Sequence, residues 1–173
     1  MSIRLRAFSI LLLIACGAAA ASAPDNLVQW RMGLASSAQP SSDWLKKARD
    51  NGYDLVVNLA PPQVQGSIRE EGGLVGATGA TYVNIPVDFS KPSAEDFRFF
   101  SEVVKANASR NVLVHCQVNM RGSSFTFLYR VIHENADITE EWKKVTSIWT
   151  PEGAWRRFID ETLRANGKQA DLF

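Results

Sequence analysis

The sequence predicts an α/β fold: a parallel-type sheet flanked by helices, closed by an all-helical C-terminus. Three observations point to it. Short apolar runs at residues 54–59 (DLVVNL), 81–85 (TYVNI) and 111–115 (NVLVH) alternate with segments of helical period. The runs are nearly continuous in apolar residues, as expected of strands covered on both faces. After residue 134 no strand pattern recurs. Strands that alternate with helices imply parallel pairing with helices packed over the sheet.

Each element has its own signal. Ser41-Ser42-Asp43, followed by WLKKARDN and Gly52, reads as a capped helix with a C′ glycine. Pro61-Pro62 ends the strand at 54–59. Residues 66–79 hold a helix interrupted by Gly72 and Gly73, and residues 86–92 form a loop. Ser93 caps the next helix with Asp96 three residues on, a capping box before FRFFSEVVKAN. The spacing of Phe125, Leu128, Tyr129 and Ile132 predicts a helix over 122–134. Residues 139–149 and 152–165 read as two helices separated by Pro151, with Trp142, Trp149, Trp155 and Phe158 as core candidates.

The first 21 residues read as a secretory signal rather than as part of the fold. Arg4 and Arg6 precede an apolar run from Ala7 to Ala15, and small residues follow up to Ala19-Ala20-Ala21. The run falls short of the ~20 residues that cross a bilayer. Cleavage after Ala21 releases a soluble, secreted and periplasmic protein. The alternative is a lipobox, Leu13-Ile14-Ala15-Cys16, which leaves a lipoprotein anchored through Cys16. Residues 22–173 then form a single domain, long enough to bury a substantial core. The 173-residue chain carries a formal charge of +1. Setting Arg4 and Arg6 aside brings the remainder to −1, with no basic stripe, so nucleic acid is not expected as a partner. No membrane contact is expected unless Cys16 is lipidated.

The chemistry concentrates in residues 112–124, VLVHCQVNMRGSS. Once Cys16 is removed or lipidated, Cys116 is the sole side-chain thiol and has no disulfide partner in its own chain. It follows a buried strand and precedes a helix N-terminus, the position where open parallel sheets bind ligands. Amides of the loop and first helical turn can cradle an anion there, and the same field favours a thiolate. Arg121 adds a cation whose planar fork suits a tetrahedral oxyanion. A nucleophile, amides and an arginine within one turn make a kit for attacking a phosphate ester. The competing reading is a buried structural cysteine. His115 is expected to orient the loop through backbone hydrogen bonds and to help depress the thiol pKa. Asp88, on the loop after the preceding strand, is the candidate acid for the leaving group, with Asp96 in reserve. Two histidines, one usable cysteine and scattered carboxylates show no metal-ligand spacing, so neither metal nor cofactor is expected.

These residues resemble the cysteine-dependent protein tyrosine phosphatase superfamily, and especially compact bacterial members of the dual-specificity type. The matching stretches are VLVHC, the downstream arginine with its helix, the preceding IPVDF, the opening ASSAQPSSDWLKKARDNGYDLVVNL and the helical tail. The resemblance implies that Cys116 is the nucleophile of a phosphocysteine intermediate, Arg121 the phosphate clamp and Asp88 the general acid and then base. It also assigns His115, Gln117, Val118, Asn119, Met120, Gly122 and Ser123 to the substrate-binding loop. The expected substrate is a phosphoprotein or a small phosphate ester. Two departures stand out. The family loop has five residues between cysteine and arginine, whereas QVNM supplies four, and Gly122 replaces the hydroxyl residue that follows the arginine. Asn119 can take the left-handed conformation that a tighter turn needs, and Ser123 or Ser124 can stand in for the hydroxyl. Four residues also match a rhodanese loop, so the alternatives are a sulfurtransferase carrying a Cys116 persulfide, or an inactive phosphate-binding relative. The helical tail and the Asp88 loop favour the phosphatase.

Overall fold

The computed structural model describes residues 22–168 and Leu172. The signal segment and Cys16 lie outside the described residues. Five strands form one sheet: β1 (Val28–Arg31), β2 (Leu34–Ser37), β3 (Leu55–Asn58), β4 (Thr81–Asn84) and β5 (Val112–His115), in the order β1-β2-β5-β3-β4. Neighbours pair in parallel, except that β1 runs antiparallel to β2 at one edge. The edge strand β1 was not visible in the sequence pattern, because VQWR is short and its apolar residues do not form a run, whereas β2 lies where the resemblance implies an opening strand.

The alternation of side chains along each strand divides the interior into two cores. Leu34, Leu55, Val57, Val112 and Val114 face one cluster, and Ala35, Val56 and Leu113 face the other. The smaller core is closed by α1 (Ser42–Leu45) and α2 (Glu71–Gly76). The larger lies under α3 (Ala94–Ala106), α4 (Met120–His133), α5 (Ile138–Thr146) and α6 (Gly153–Ala165). Phe97, Phe100, Phe125 and Phe158 interlock there, with edge-on contacts at centroid distances of 5.5–6.5 Å. Trp155 is buried, while Trp142 and Trp149 are half-buried against the same cluster.

Helix boundaries follow their caps. Ser41 Oγ accepts from Trp44 N at 3.2 Å, but α1 lasts only four residues. Lys47 N and Ala48 N bond carbonyls three residues back, which tightens the chain into turns up to Gly52 at φ 90°. Ser93 Oγ accepts from Asp96 N at 3.1 Å and donates to Asp96 Oδ2 at 2.7 Å, capping the start of α3 through the serine hydroxyl. Asp96 is thereby committed to the cap. Among the described residues no helix is long and apolar enough to cross a membrane.

Candidate active site

The four parallel strands all end at one edge of the sheet, and the candidate residues gather there. β5 hands over to Cys116, and residues 116–119 turn into α4. Asn119 sits at the N-cap of α4 with φ 71° and ψ 7°. This left-handed conformation reverses the chain within a loop that has no residue to spare, and asparagine tolerates it better than other non-glycine residues.

The loop is tethered through its carbonyls. His115 O accepts from Leu59 N at 2.8 Å and Gln117 O from Gln39 N at 3.2 Å. Asn26 Nδ2 donates to Val118 O at 3.1 Å, and Asn119 Nδ2 donates back to Asn26 O at 2.7 Å. The amides of Gln117 and Val118 have no main-chain partner among the described residues. A loop with engaged carbonyls and free amides keeps its donors for an anion. Cys116 is a free thiol, wholly buried at the base of this loop.

Arg121 is buried and held by the loop that carries Asp88. Its Nε donates to Val87 O at 3.0 Å, its Nη1 to Gln117 Oε1 at 3.4 Å, and its Cζ lies 5.1 Å from the Phe89 ring centroid. Gln117 Nε2 donates in turn to Gln65 O at 3.0 Å. A guanidinium has five N–H donors, so these bonds leave some for a ligand. Phe89 is fixed on its other side by α6: Trp155 Nε1 donates to Phe89 O at 2.9 Å, and the rings of Trp149 and Trp155 lie 5.9 and 5.5 Å away.

Asp88 is fully exposed on this loop. Its Oδ1 accepts from Ser90 Oγ and Ser90 N, each at 2.8 Å. Those bonds, with the Arg121 charge adding to them, hold the carboxyl below the usual aspartate range. The carboxylate therefore closes a turn on its own backbone, the ordinary behaviour of an aspartate in such a loop, within reach of the Arg121 field. Met120 is half-buried, and its carbonyl accepts from Ser123 Oγ at 3.2 Å and Ser124 Oγ at 2.9 Å, so both hydroxyls are engaged inside α4. Gly122 lies under the Asn119 side chain: a Cβ there would meet Asn119 Oδ1 at 2.5 Å. A side chain at position 122 therefore fits only if Asn119 moves.

Beneath the loop lies a buried polar group that the sequence did not reveal. His115 Nε2 is 2.8 Å from Glu71 Oε1, with both side chains almost wholly enclosed. The ring N–H is not aligned on that oxygen, so neither ring nitrogen makes a directed hydrogen bond. The contact places the His115 ring against the Glu71 carboxyl. Glu71 also accepts from Asn58 Nδ2 at 2.9 Å, Gln39 Nε2 at 3.2 Å and the Tyr82 hydroxyl at 3.4 Å. Burial and the Glu71 charge push the Tyr82 phenol up to about 12, which keeps it a donor. A glutamate beside Glu70, ahead of two glycines, looks like part of a solvated turn. The available clue was Gly72, whose missing side chain lets α2 close on the Tyr82 ring, 3.0 Å from where a Cβ would stand.

A thiol buried at a strand-to-helix turn, on a loop with free amides and followed by an arginine held by an aspartate-bearing loop, suits a cysteine-dependent phosphatase. Comparison with known proteins agrees. No family model matches the chain, and no curated protein matches it by sequence. Among solved structures, a candidate phosphatase of the DUF442 group from Shewanella putrefaciens CN-32 is 28% identical, with a TM-score of 0.75 over 83% of this chain and 94% of that one. The core catalytic domain of the PP-IP phosphatase Siw14 from S. cerevisiae shares the fold at 16% identity, with a TM-score of 0.65 over 83% and 92%. PTPMT1, solved in complex with PI(5)P, does so at 12% identity, with a TM-score of 0.69 over 83% and 97%. The chain shares the dual-specificity type of fold found in the cysteine-dependent protein tyrosine phosphatase superfamily.

Proposed function

We propose that this enzyme hydrolyses phosphate monoesters through a phosphocysteine intermediate on Cys116, in the periplasm. The observation that carries the reading is the single hydrogen-bonded unit of loop and arginine: Arg121 emerges one turn after Cys116 and is pinned to Val87, next to Asp88. The Cys116 thiolate attacks phosphorus while the loop amides and Arg121 bind the three non-bridging oxygens. Asp88, protonated, gives its proton to the departing ester oxygen as the P–O bond breaks. In the second step Asp88 takes a proton from water, the water oxygen bonds to phosphorus, and the S–P bond breaks to return thiolate and inorganic phosphate. Ser123 and Ser124, bonded to Met120 O, hold the start of the helix, so the loop amides and Arg121 bear the oxyanion charge.

The test is hydrolysis of p-nitrophenyl phosphate without added metal from pH 4 to 8. Cys116→Ser is expected to abolish turnover, and Arg121→Ala to reduce kcat/KM by about 10²–10³-fold. Asp88→Asn is expected to slow phenyl phosphate more than the nitrophenyl ester, because the poorer leaving group needs the proton more. Turnover that survives Cys116→Ser would sink the reading. The four-residue loop favours one second reading, sulfur transfer from a Cys116 persulfide. Thiosulfate-dependent thiocyanate formation, with no phosphatase activity, would select it. For location, the Ala-rich leader predicts release of the soluble protein by osmotic shock, and Cys16→Ala should leave that release unchanged. Retention in the membrane that is lost in Cys16→Ala would instead establish the lipoprotein route.

A further inference from the structure

The phosphatase reading accounts for the end of the sheet but not for a groove of about 640 Å³ that opens beside the acid loop. Its lining includes Ser90, the residue that bonds Asp88, and residues of α3 and α6. Phe97 and Phe158 form an apolar floor. The rims carry charge in a fixed order. Arg98 on α3 and Arg157 on α6 line the half nearer the acid loop, with Lys91 next to Ser90. Glu102 and Glu161 follow, each four residues further along its helix. Among the described residues no hydrogen bond or ion pair engages the side chains of Lys91, Arg98 or Arg157. His133, lowered by burial and by Lys105, is uncharged at neutral pH and adds no further cation.

Two rungs result, cations near the site and acids beyond, separated by four residues of helix, about 6 Å. Side chains two apart on one face of an extended polypeptide are separated by about 6.6 Å. A polyanion or an anionic bilayer would meet the acid rung and be repelled by it, so the pattern selects a polypeptide. We propose, resting on the phosphatase reading, that this groove is a second binding surface for phosphoprotein substrates. It takes an extended flank in which an acidic residue, nearer the phosphoresidue, pairs with Arg98 and Arg157. A basic residue two positions further out pairs with Glu102 and Glu161, and intervening apolar atoms cover Phe97 and Phe158.

The test walks an Asp-x-Lys step along either flank of a phosphotyrosine peptide and compares each register with its Lys-x-Asp reverse. One register is expected to gain about fivefold in kcat/KM, the scale of partly exposed ion pairs. The double variant Arg98→Glu, Arg157→Glu makes both rungs acidic and should abolish that preference while leaving p-nitrophenyl phosphate turnover unchanged, since neither residue touches the loop. Cys116→Ser protein, read by fluorescence anisotropy of the same labelled peptides, should show the same preference in binding. Hydrolysis of all registers at equal rates, or a preference that survives the charge reversal, overturns the groove proposal while leaving the phosphatase intact. Loss of peptide turnover with p-nitrophenyl phosphate still cleaved, and no register preference in binding, overturns it equally. Absence of both activities overturns the phosphatase reading, and the proposal with it.

Discussion

Asp88 cannot donate a proton while Ser90 holds it as a carboxylate. The two Ser90 bonds are the largest influences on that carboxyl, ahead of Arg121, and all three lower its pKa. A rate that needs Asp88 protonated falls as pH rises through the pKa of that group. Ser90→Ala removes the side-chain bond, so the pKa rises and the alkaline limb of the kcat/KM profile should move to higher pH. A limb unchanged in Ser90→Ala, against a flattened one in Asp88→Asn, would show that the turn does not set the acid. Gly122 makes a second prediction at this scale. Gly122→Ala forces Asn119 to move and endangers its bond to Asn26 O, so thermal denaturation should show a loss of about 1–2 kcal/mol. Asn119→Gly keeps the left-handed turn and relieves the clash, so the double variant should lose less than the two single variants combined.

Between residue and fold stand the elements that present the acid loop. α6 reaches it through Trp155, whose indole N–H holds Phe89 O while its ring supports the Phe89 side chain under Arg121. Trp155→Phe deletes one hydrogen bond and preserves most of the packing. At about 1 kcal/mol for such a bond, kcat for phenyl phosphate should fall about fivefold, with the nitrophenyl ester less affected. An equal fall for both esters would place Trp155 in the core alone. The legibility of these elements varies for physical reasons. The buried strands at 54–59, 81–85 and 111–115 and the capped helix at 93 were plain, because apolar runs and capping residues act locally. β1 was not, since its residues are held by pairing with β2 rather than by their own pattern. At the candidate site, the sequence placed Cys116 and Arg121 at a strand-to-helix turn by their motif and Asp88 on a neighbouring loop by its position after a strand, and Asn119 was suited to the turn by its residue type. Glu71, Phe89 and Trp155 reach the site only through tertiary closure, and Asp88's turn with Ser90 depends on a loop shape that composition does not specify.

Across the molecule, a chain of charges joins the sheet edge to the helical layer. Arg31 of β1 pairs with Glu134 at 2.9 Å, Glu134 with Arg130, and Arg130 with Glu141, which also meets Lys144 at 2.9 Å. Burial works to raise the Glu134 pKa, but the bonds from Arg31 and Arg130 outweigh it and the net shift is downward. A carboxyl lowered on folding stabilises the native state above its unfolded pKa, and the benefit is lost as pH falls through the folded value. Glu134→Gln should therefore lower the melting temperature at pH 7 by a few degrees, about 1 kcal/mol. The difference from wild type should shrink as pH falls through that lowered folded value, where the carboxyl is protonated and, like the glutamine, neutral. A deficit constant from pH 3 to 7 would assign the loss to packing. The pairing of Asn119 with Gly122 carries a different kind of consequence, for descent. A lineage that inserts a residue between Cys116 and Arg121 no longer needs the left-handed Asn119, and one that restores a hydroxyl at position 122 no longer tolerates it. A side chain at 122 and the left-handed Asn119 therefore exclude each other, and the two positions should change together, asparagine with glycine three positions apart.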